Sequence, residues 1–357
     1  MAAGDPLTVL FANNYDMARA RAGWQAGTYP AHHLYGTAEL GESFEVVDLP
    51  FSGGGRLTRL TRGKLGDPGQ QLAALRERRR PAVVYAAAAH ELRALATLRA
   101  LRLVDVPIVG VFHGVPAPGL LNGALLRGFD RAIALSRCTR RALLDGGMPA
   151  ARIQVLGWGP DLDFPGFQPL AAAARDAPVV ATGKTGRDMR TLLAALAATG
   201  LRARVYCRPE QVDRTAAIPD HVELLAAEPA GYAAASGPLH YGYALDDLRS
   251  AAVVAIPLLE TRPLHGLTEV VDALACGRPM ILTRAPYFDF DIEAIGCGWW
   301  VGHGDLDGWC ERLTDAMSDR ERLDEMGRAG RSWAEEHLNA RLFGEGVREV
   351  LLEAVSS

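Results

Sequence analysis

Short apolar runs, rich in β-branched residues, alternate with Ala-, Leu- and Arg-rich stretches along the whole chain. In the first half these runs predict strands at Leu7–Ala12, Phe44–Leu49, Ala82–Tyr85, Pro107–Phe112, Arg131–Leu135 and Ile153–Leu156. Helical spacing between them predicts helices over Gln70–Arg80, Leu92–Arg102 and Thr139–Leu144. In the second half strands are expected at Pro178–Thr182, Ala203–Cys207, Val222–Leu225, Leu239–Tyr241, Val253–Pro257 and Pro279–Thr283. The matching helices are Asp188–Ala198, Ala244–Ala251, Thr268–Ala275 and Leu306–Ala316. Strands apolar on both faces and separated by helices imply parallel sheets covered on both sides. Two such series imply an α/β protein of two doubly wound, Rossmann-like domains facing across a cleft. Ligands are then expected beyond the carboxyl ends of the strands.

The seam falls in Gly157–Ala177, where Gly157, Gly159, Pro160, Pro165, Gly166 and Pro169 cluster. The expected organisation is an N-terminal domain over 1–160, a linker over 161–176 and a C-terminal domain over 177–335. The tail Asp319–Val355 reads as helical throughout and charged on one face, so it must pack on an existing domain. Residues 336–357 are expected to return to the N-terminal domain.

Composition narrows the function. The 357 residues carry 38 Lys plus Arg against 42 Asp plus Glu, a formal net charge of −4. That balance argues against a dedicated nucleic-acid binder, whose footprint is strongly basic. No apolar run approaches the ~20 residues of a membrane helix. The first residues lack the layout of a signal peptide, so the cytoplasm is the expected compartment. The five cysteines form no Cys-x-x-Cys pair and read as small buried residues. Only Lys64 and Lys184 are lysines, so arginine is the default cation and a surviving lysine stands out.

Two strand ends carry phosphate chemistry. After Pro178–Thr182 comes Gly183-Lys184-Thr185-Gly186-Arg187-Asp188, a glycine turn with two cations opening a helix. Such a turn suits a polyphosphate. It is not a P-loop, which needs glycine where Pro178 stands. The plainer alternative is a solvated Lys184 and a surface pair of Arg187 with Asp188. The second segment runs from Glu260 through His265, Gly266, Leu267 and Thr268 into Glu269 and Asp272. Gly266 allows close backbone approach, Thr268 is the expected N-cap, and the first amides of the helix are free for a phosphate. Asp272, about one turn further in, suits a ribose diol. Alternatively, Glu269 and Asp272 are carboxylates that merely complement the helix dipole.

Other motifs are weaker. His113 follows the strand Pro107–Phe112 and is either a satisfied polar residue or a site residue. Asn13–Pro30 reads as a long loop after the first strand, bearing Asn14, Tyr15 and Trp24. No Gly-x-Gly-x-x-Gly occurs, and His90-Glu91 lacks the second histidine of a zincin. Asp289-Phe290-Asp291 lies in a loop and Asp305-Leu306-Asp307 at a helix start, both read as structural. His32 and His33 are neighbours on a helix and expected to point apart.

The stretch Gly-Leu-Thr-Glu-Val-Val-Asp-Ala-Leu-Ala-Cys-Gly-Arg-Pro, 266–279, resembles the signature of the retaining, two-Rossmann glycosyltransferases of family 4, of GT-B type. Leu135–Arg141 resembles that family's serine–basic–threonine helix start, and Gly159-Pro160-Asp161 with Phe164 its linker. Gly183–Arg187 resembles its diphosphate loop with arginine and lysine exchanged, and Met326–Arg331 its tail helix. The resemblance spans about residues 106–355. It implies that Lys184 and Arg187, with Gly183 and the amides of Gly266–Thr268, hold the donor diphosphate. It also places Asp272 at the ribose, where the family has glutamate, and His113 beside the donor sugar. The family's other motif glutamate falls on Leu264, so its sugar contact is missing or passes to Glu260 or His265. Asn14, Tyr15 and Trp24 become acceptor-facing candidates.

The function so implied is retaining, metal-independent transfer of a sugar from a nucleoside diphosphate donor, UDP ahead of GDP or TDP, to a small-molecule acceptor. No cofactor is expected. Charge growing on the leaving diphosphate is stabilised where it develops. Same-face attack assisted by the leaving phosphate is the mechanism the resemblance suggests. The competing class is a non-catalytic nucleotide-sugar binder or a membrane-recruited protein, with a phosphorylase or epimerase of the same fold as a third reading. Arg56–Arg80 concentrates cations that suit an anionic lipid face, so peripheral contact at the inner membrane is expected there.

Overall fold

The computed structural model describes residues 6–51, 64–114, 120–169, 174, 176–183, 185–212, 218–226, 241–261 and 264–356. Two compact units emerge. The first comprises Met1–Ala26, Pro30–Trp158 and Ala340–Ser357, and the second Gly27–Tyr29 and Gly159–Asn339.

The first unit is built on β1 (Leu7–Ala12), β2 (Phe44–Asp48), β3 (Val83–Ala86), β4 (Ile108–Phe112), β5 (Arg131–Ala134) and β6 (Ile153–Val155). They pair in parallel in the order β2-β1-β3-β4-β5-β6. The reversal of strand order beside β1 opens a crevice at its carboxyl end. Helices α1 (Met17–Gln25), α2 (Pro68–Arg76), α3 (Arg93–Ala100), α4 (Leu120–Arg127) and α5 (Arg137–Asp145) connect the strands. Asp67 and Ser136 cap α2 and α5 with their side-chain oxygens, each interaction worth about 1 kcal/mol. Leu10, Val84, Leu92, Ile108 and Phe129 lie in the core under this layer.

The second unit repeats the plan with β7 (Val179–Ala181), β8 (Ala203–Cys207), β9 (Val222–Ala226), β10 (Val253–Ile256), β11 (Met280–Thr283) and β12 (Gly298–Val301). Their parallel order is β12-β11-β10-β7-β8-β9. Its helices are α6 (Met189–Thr199), α7 (Tyr241–Ser250), α8 (Leu267–Ala275), α9 (Ile292–Ile295), α10 (Leu306–Ser318) and α11 (Arg320–His337). The chain then enters α12 (Ala340–Val355), which packs on β3, β4 and β5. The two doubly wound sheets and the packed C-terminal helices are those the apolar pattern implied.

Four expectations change. Of the expected strand Leu239–Tyr241, residues 239 and 240 lie outside the described residues, and Tyr241 begins α7. The strand β12 carries Trp299 and Trp300 in place of the usual Val/Ile run. Met17–Gln25 is helical inside the supposed long loop, its N-terminus capped by Asp16. The tail breaks at Leu338-Asn339, where the Asn339 amide donates to the carbonyls of Ala334 (3.1 Å) and Glu335 (2.9 Å) and closes α11.

Candidate functional site

In the second unit, the turn after β7 is fastened to the loop after β10. Arg187 forms an antiparallel bridge with Leu258, Leu259 N donates to Gly186 O (2.9 Å), and Asp188 N donates to Pro257 O (3.1 Å). Gly183 has φ +128° and Gly186 φ +68°. A Cβ on Gly183 would run into the Arg187 guanidinium, and one on Gly186 into the His265 imidazole. Only glycine fits this turn. Lys184 lies outside the described residues.

Arg187 is not a free cation, nor is it paired with Asp188. Its guanidinium lies 2.5 Å from the Glu269 carboxylate, with the two side chains 3% and 10% exposed. It also donates to the carbonyls of Thr185 (2.6 Å) and Thr182 (3.5 Å). The backbone bridge to Leu258 aims this side chain inward, toward the first turn of α8. Asp188 instead caps α6, accepting from Thr191 N at 3.1 Å.

The N-cap of α8 is Gly266, at φ +84°, and no side chain caps the helix. Thr268 is therefore its second residue and not the cap. A Cβ at position 266 would sit 2.9 Å from Leu258 Cδ2, which selects glycine for the post. The first amides, from Leu267 onward, leave the helix end open to an anion, aided by its partial positive charge. Glu269, the acidic residue of the first turn, is neutralised by Arg187. Asp272 is buried in the second turn; burial, helped by the Asp272 charge, pushes the Cys276 thiol up.

Beside this helix end lies a cavity of about 320 Å³ lined by Leu258, Glu260, Thr261, His265, Tyr287 and His303, among others. His265 Nδ1 is 3.2 Å from Thr261 Oγ1, and Tyr287 Oη donates to Thr261 O (3.1 Å). His303 Nδ1 donates to Leu258 O (3.0 Å). Burial and the Arg187 charge lower the His265 pKa against the pull of Glu269, so the ring is neutral at pH 7. The cavity therefore combines the Thr261 and Tyr287 hydroxyls and the neutral His265 ring with the Glu260 carboxylate, a lining suited to a hydroxylated ring. Sequence reasoning did not find Tyr287 or His303. They follow β11 and β12, and the latter strand was itself not anticipated.

In the first unit, His113 follows β4 and its Nε2 is 2.8 Å from Ala87 O. Asn14 N donates to Asn13 Oδ1 (2.7 Å), and Tyr15 Oη donates to His33 O (2.5 Å). Trp24 lies near the end of α1, half-buried. His32 and His33 do not point apart: their rings lie 4.2 Å centroid to centroid, gathered by the Trp158 indole, which donates to His32 O (2.9 Å). The tighter 3₁₀ turn over Ala31–Leu34 and the indole above it bring them together. Of the Asp-x-Asp pairs, Asp291 caps α9 and accepts from Trp300 Nε1 (2.8 Å), while Asp305 caps α10. Among the described residues no group of three or more His, Cys, Asp or Glu is placed to hold a metal.

A family model, Glycosyltransferase Family 4, matches residues 30–164. No curated protein matches. Among solved structures, sucrose-phosphate synthase from Thermosynechococcus elongatus is similar at TM-score 0.70 and 14% identity, covering 98% of this chain and 99% of that one. Anabaena HepE in complex with UDP and glucose is similar at TM-score 0.64 and 14% identity, over 97% of this chain and 100% of that one. UDP-N-acetylglucosamine 2-epimerase from Rickettsia bellii follows at TM-score 0.55 and 11% identity, over 98% and 97%. The chain has the GT-B fold. These nearly full-length matches share that architecture.

Proposed function

We propose that this protein transfers a sugar from a nucleoside diphosphate donor, UDP-linked ahead of GDP or TDP, to a hydroxyl acceptor, with retention and without a metal. The observation that carries the reading is the uncapped N-terminus of α8, clasped by the glycine turn through Arg187 and Glu269 and opening beside a polar cavity. An anion belongs at the helix end and a hydroxylated ring in the cavity. The UDP and glucose bound in Anabaena HepE support this choice of ligand.

In this reading the α8 amides and Lys184 take the charge that grows on the leaving diphosphate. Arg187 acts by shaping the turn. Asp272 serves the ribose. Glu260, His265 and His303 supply sugar contacts where Leu264 replaces the family glutamate. His113 touches the donor sugar, and Asn14, Tyr15 and Trp24 serve the acceptor. The same-face course is carried by the resemblance of 266–279 to the retaining family.

The experiment is incubation with UDP-, GDP- and TDP-glucose, with and without EDTA, following nucleoside diphosphate release and the anomer formed by NMR. Release from one donor, unaffected by EDTA and with the α-anomer formed first from an α-donor, supports the reading. Consumption of donor without release of nucleoside diphosphate favours an epimerase, a second reading to which the Rickettsia likeness points.

A further inference from the structure

Tyr35 is one of three non-glycine residues with a left-handed backbone among those described, at φ +50° and ψ +47°. A bulky side chain opposes that geometry, which persists only where its surroundings over-determine it. Here they do. The Tyr35 amide donates to His32 O (3.1 Å) and its carbonyl accepts from Tyr85 Oη (2.9 Å). The next residue, Gly36, is pressed against α12, where a Cβ would lie 3.0 Å from Gly344 Cα and Val347 Cγ2.

The strained turn delivers one aromatic ring to one place. Trp158 stacks on Tyr35 with centroids 5.7 Å apart and planes 21° apart. The imidazole of His113 stands across it at 5.6 Å and 70°. His113 Nε2 meets the carbonyl of Ala87 (2.8 Å), a group that only accepts, so Nε2 carries the proton. Nδ1 makes no hydrogen bond to any described residue. It is the ring atom left for a ligand.

We propose that Tyr35 is a positioning residue for His113, holding the imidazole against Ala87 so that a neutral Nδ1 accepts a hydrogen bond from a substrate hydroxyl. The nature of that hydroxyl, a sugar's, rests on the sugar-transfer reading. The contact suits a hydroxyl and not a phosphate, because a lone pair attracts an O–H and repels an anion.

The charges around the ring agree. Burial and the proximity of His90, in the turn after β3, lower the His113 pKa, and the bond to Ala87 opposes them only in part. His90 itself lies 3.1 Å from the buried Glu91 carboxylate. The phenols of Tyr35 and Tyr85 are pushed up by burial and stay neutral.

The test uses the full chain with ¹⁵N-labelled histidine, His113 being assigned by its loss in His113→Asn. Long-range ¹H–¹⁵N spectra between pH 5 and 8 should show a single Nε2–H tautomer titrating below 6.5. Tyr35→Phe should leave both unchanged, since the hydroxyl makes no hydrogen bond to a described residue. Tyr35→Ala should mix the tautomers and move the midpoint up. In UDP-glucose turnover, Tyr35→Ala should lower kcat on the order of ten- to a hundredfold with KM nearly constant. Tyr35→Leu, which keeps apolar bulk, replaces Tyr35→Ala if the latter does not fold. Unchanged tautomer and midpoint in the folded Ala or Leu variant overturn the proposal. If wild type fails to bind UDP in calorimetry, the transfer reading falls, and the spectra still decide what Tyr35 does to His113.

Discussion

The Arg187 guanidinium and the Glu269 carboxylate form a buried ion pair at 2.5 Å that ties the turn after β7 to the first turn of α8. A cation expected to face a diphosphate instead cancels the acidic side chain in the first turn of α8. The proposed function therefore leaves the diphosphate to Lys184 and the helix amides.

Breaking this pair from one side strands a buried charge, which costs about 3–5 kcal/mol. Glu269→Gln and Arg187→Met should each destabilise by that order in urea unfolding. The double variant should recover part of the loss, because no unpaired charge is left. Strictly additive losses would contradict the coupling.

Asp272 is buried in α8, and the proposed function gives it the ribose diol. Asp272→Asn should weaken UDP binding roughly ten- to a hundredfold, the loss of a charged hydrogen bond of about 1.5–3 kcal/mol. Asp272→Glu restores the family residue and should bind at least as well as wild type. Equal affinities for all three, by calorimetry, would remove Asp272 from the ribose.

Much of the fold was legible because its strands are buried on both faces and so read as continuous apolar runs; β1 and β8 match residue for residue. What was illegible has identifiable causes. Helix α1 buries only Met17 and Ala20, so it leaves almost no apolar stripe to read. Tyr241 sits after a Leu-His pair that mimics a strand start, yet it opens α7. At the site, glycines and helix register were readable from residue types. The inward turn of Arg187 was not, since it depends on a bridge to Leu258, 71 positions away. The cavity depends likewise on Tyr287 and His303, which converge only through the parallel order β10-β11-β12.

His32 is buried, and desolvation, with the neighbouring His33, holds its pKa well below the ordinary 6.5. Between those two values the unfolded chain takes up a proton that the native state refuses. Stability is therefore full above pH 6.5 and falls as the pH drops below it, by at most about 1.4 kcal/mol per pH unit for one such group. Urea midpoints from pH 8 to 5 should decline more gently in His32→Phe than in wild type. Identical slopes would show that His32 titrates normally.

The basic segment Arg56–Arg80 lies partly outside the described residues, but Arg76, Arg78, Arg79 and Arg80 are exposed at and beyond the end of α2. Leu72 and Leu75 of the same helix are exposed as well, as are Leu101 and Leu103 after α3. Cations around exposed leucines suit an anionic lipid face. Co-sedimentation with phosphatidylglycerol vesicles should occur at low salt, weaken at high salt and drop in Arg76→Glu/Arg78→Glu. Equal pelleting with phosphatidylcholine vesicles would contradict the peripheral contact.

The most direct test of the central claim is calorimetric titration of wild type and Lys184→Ala with UDP, in the presence of EDTA. The account predicts binding by wild type without metal and an affinity roughly ten- to a hundredfold weaker in Lys184→Ala, the value of one charge-assisted contact to a phosphate. No binding by wild type, or equal binding by both proteins, would contradict it.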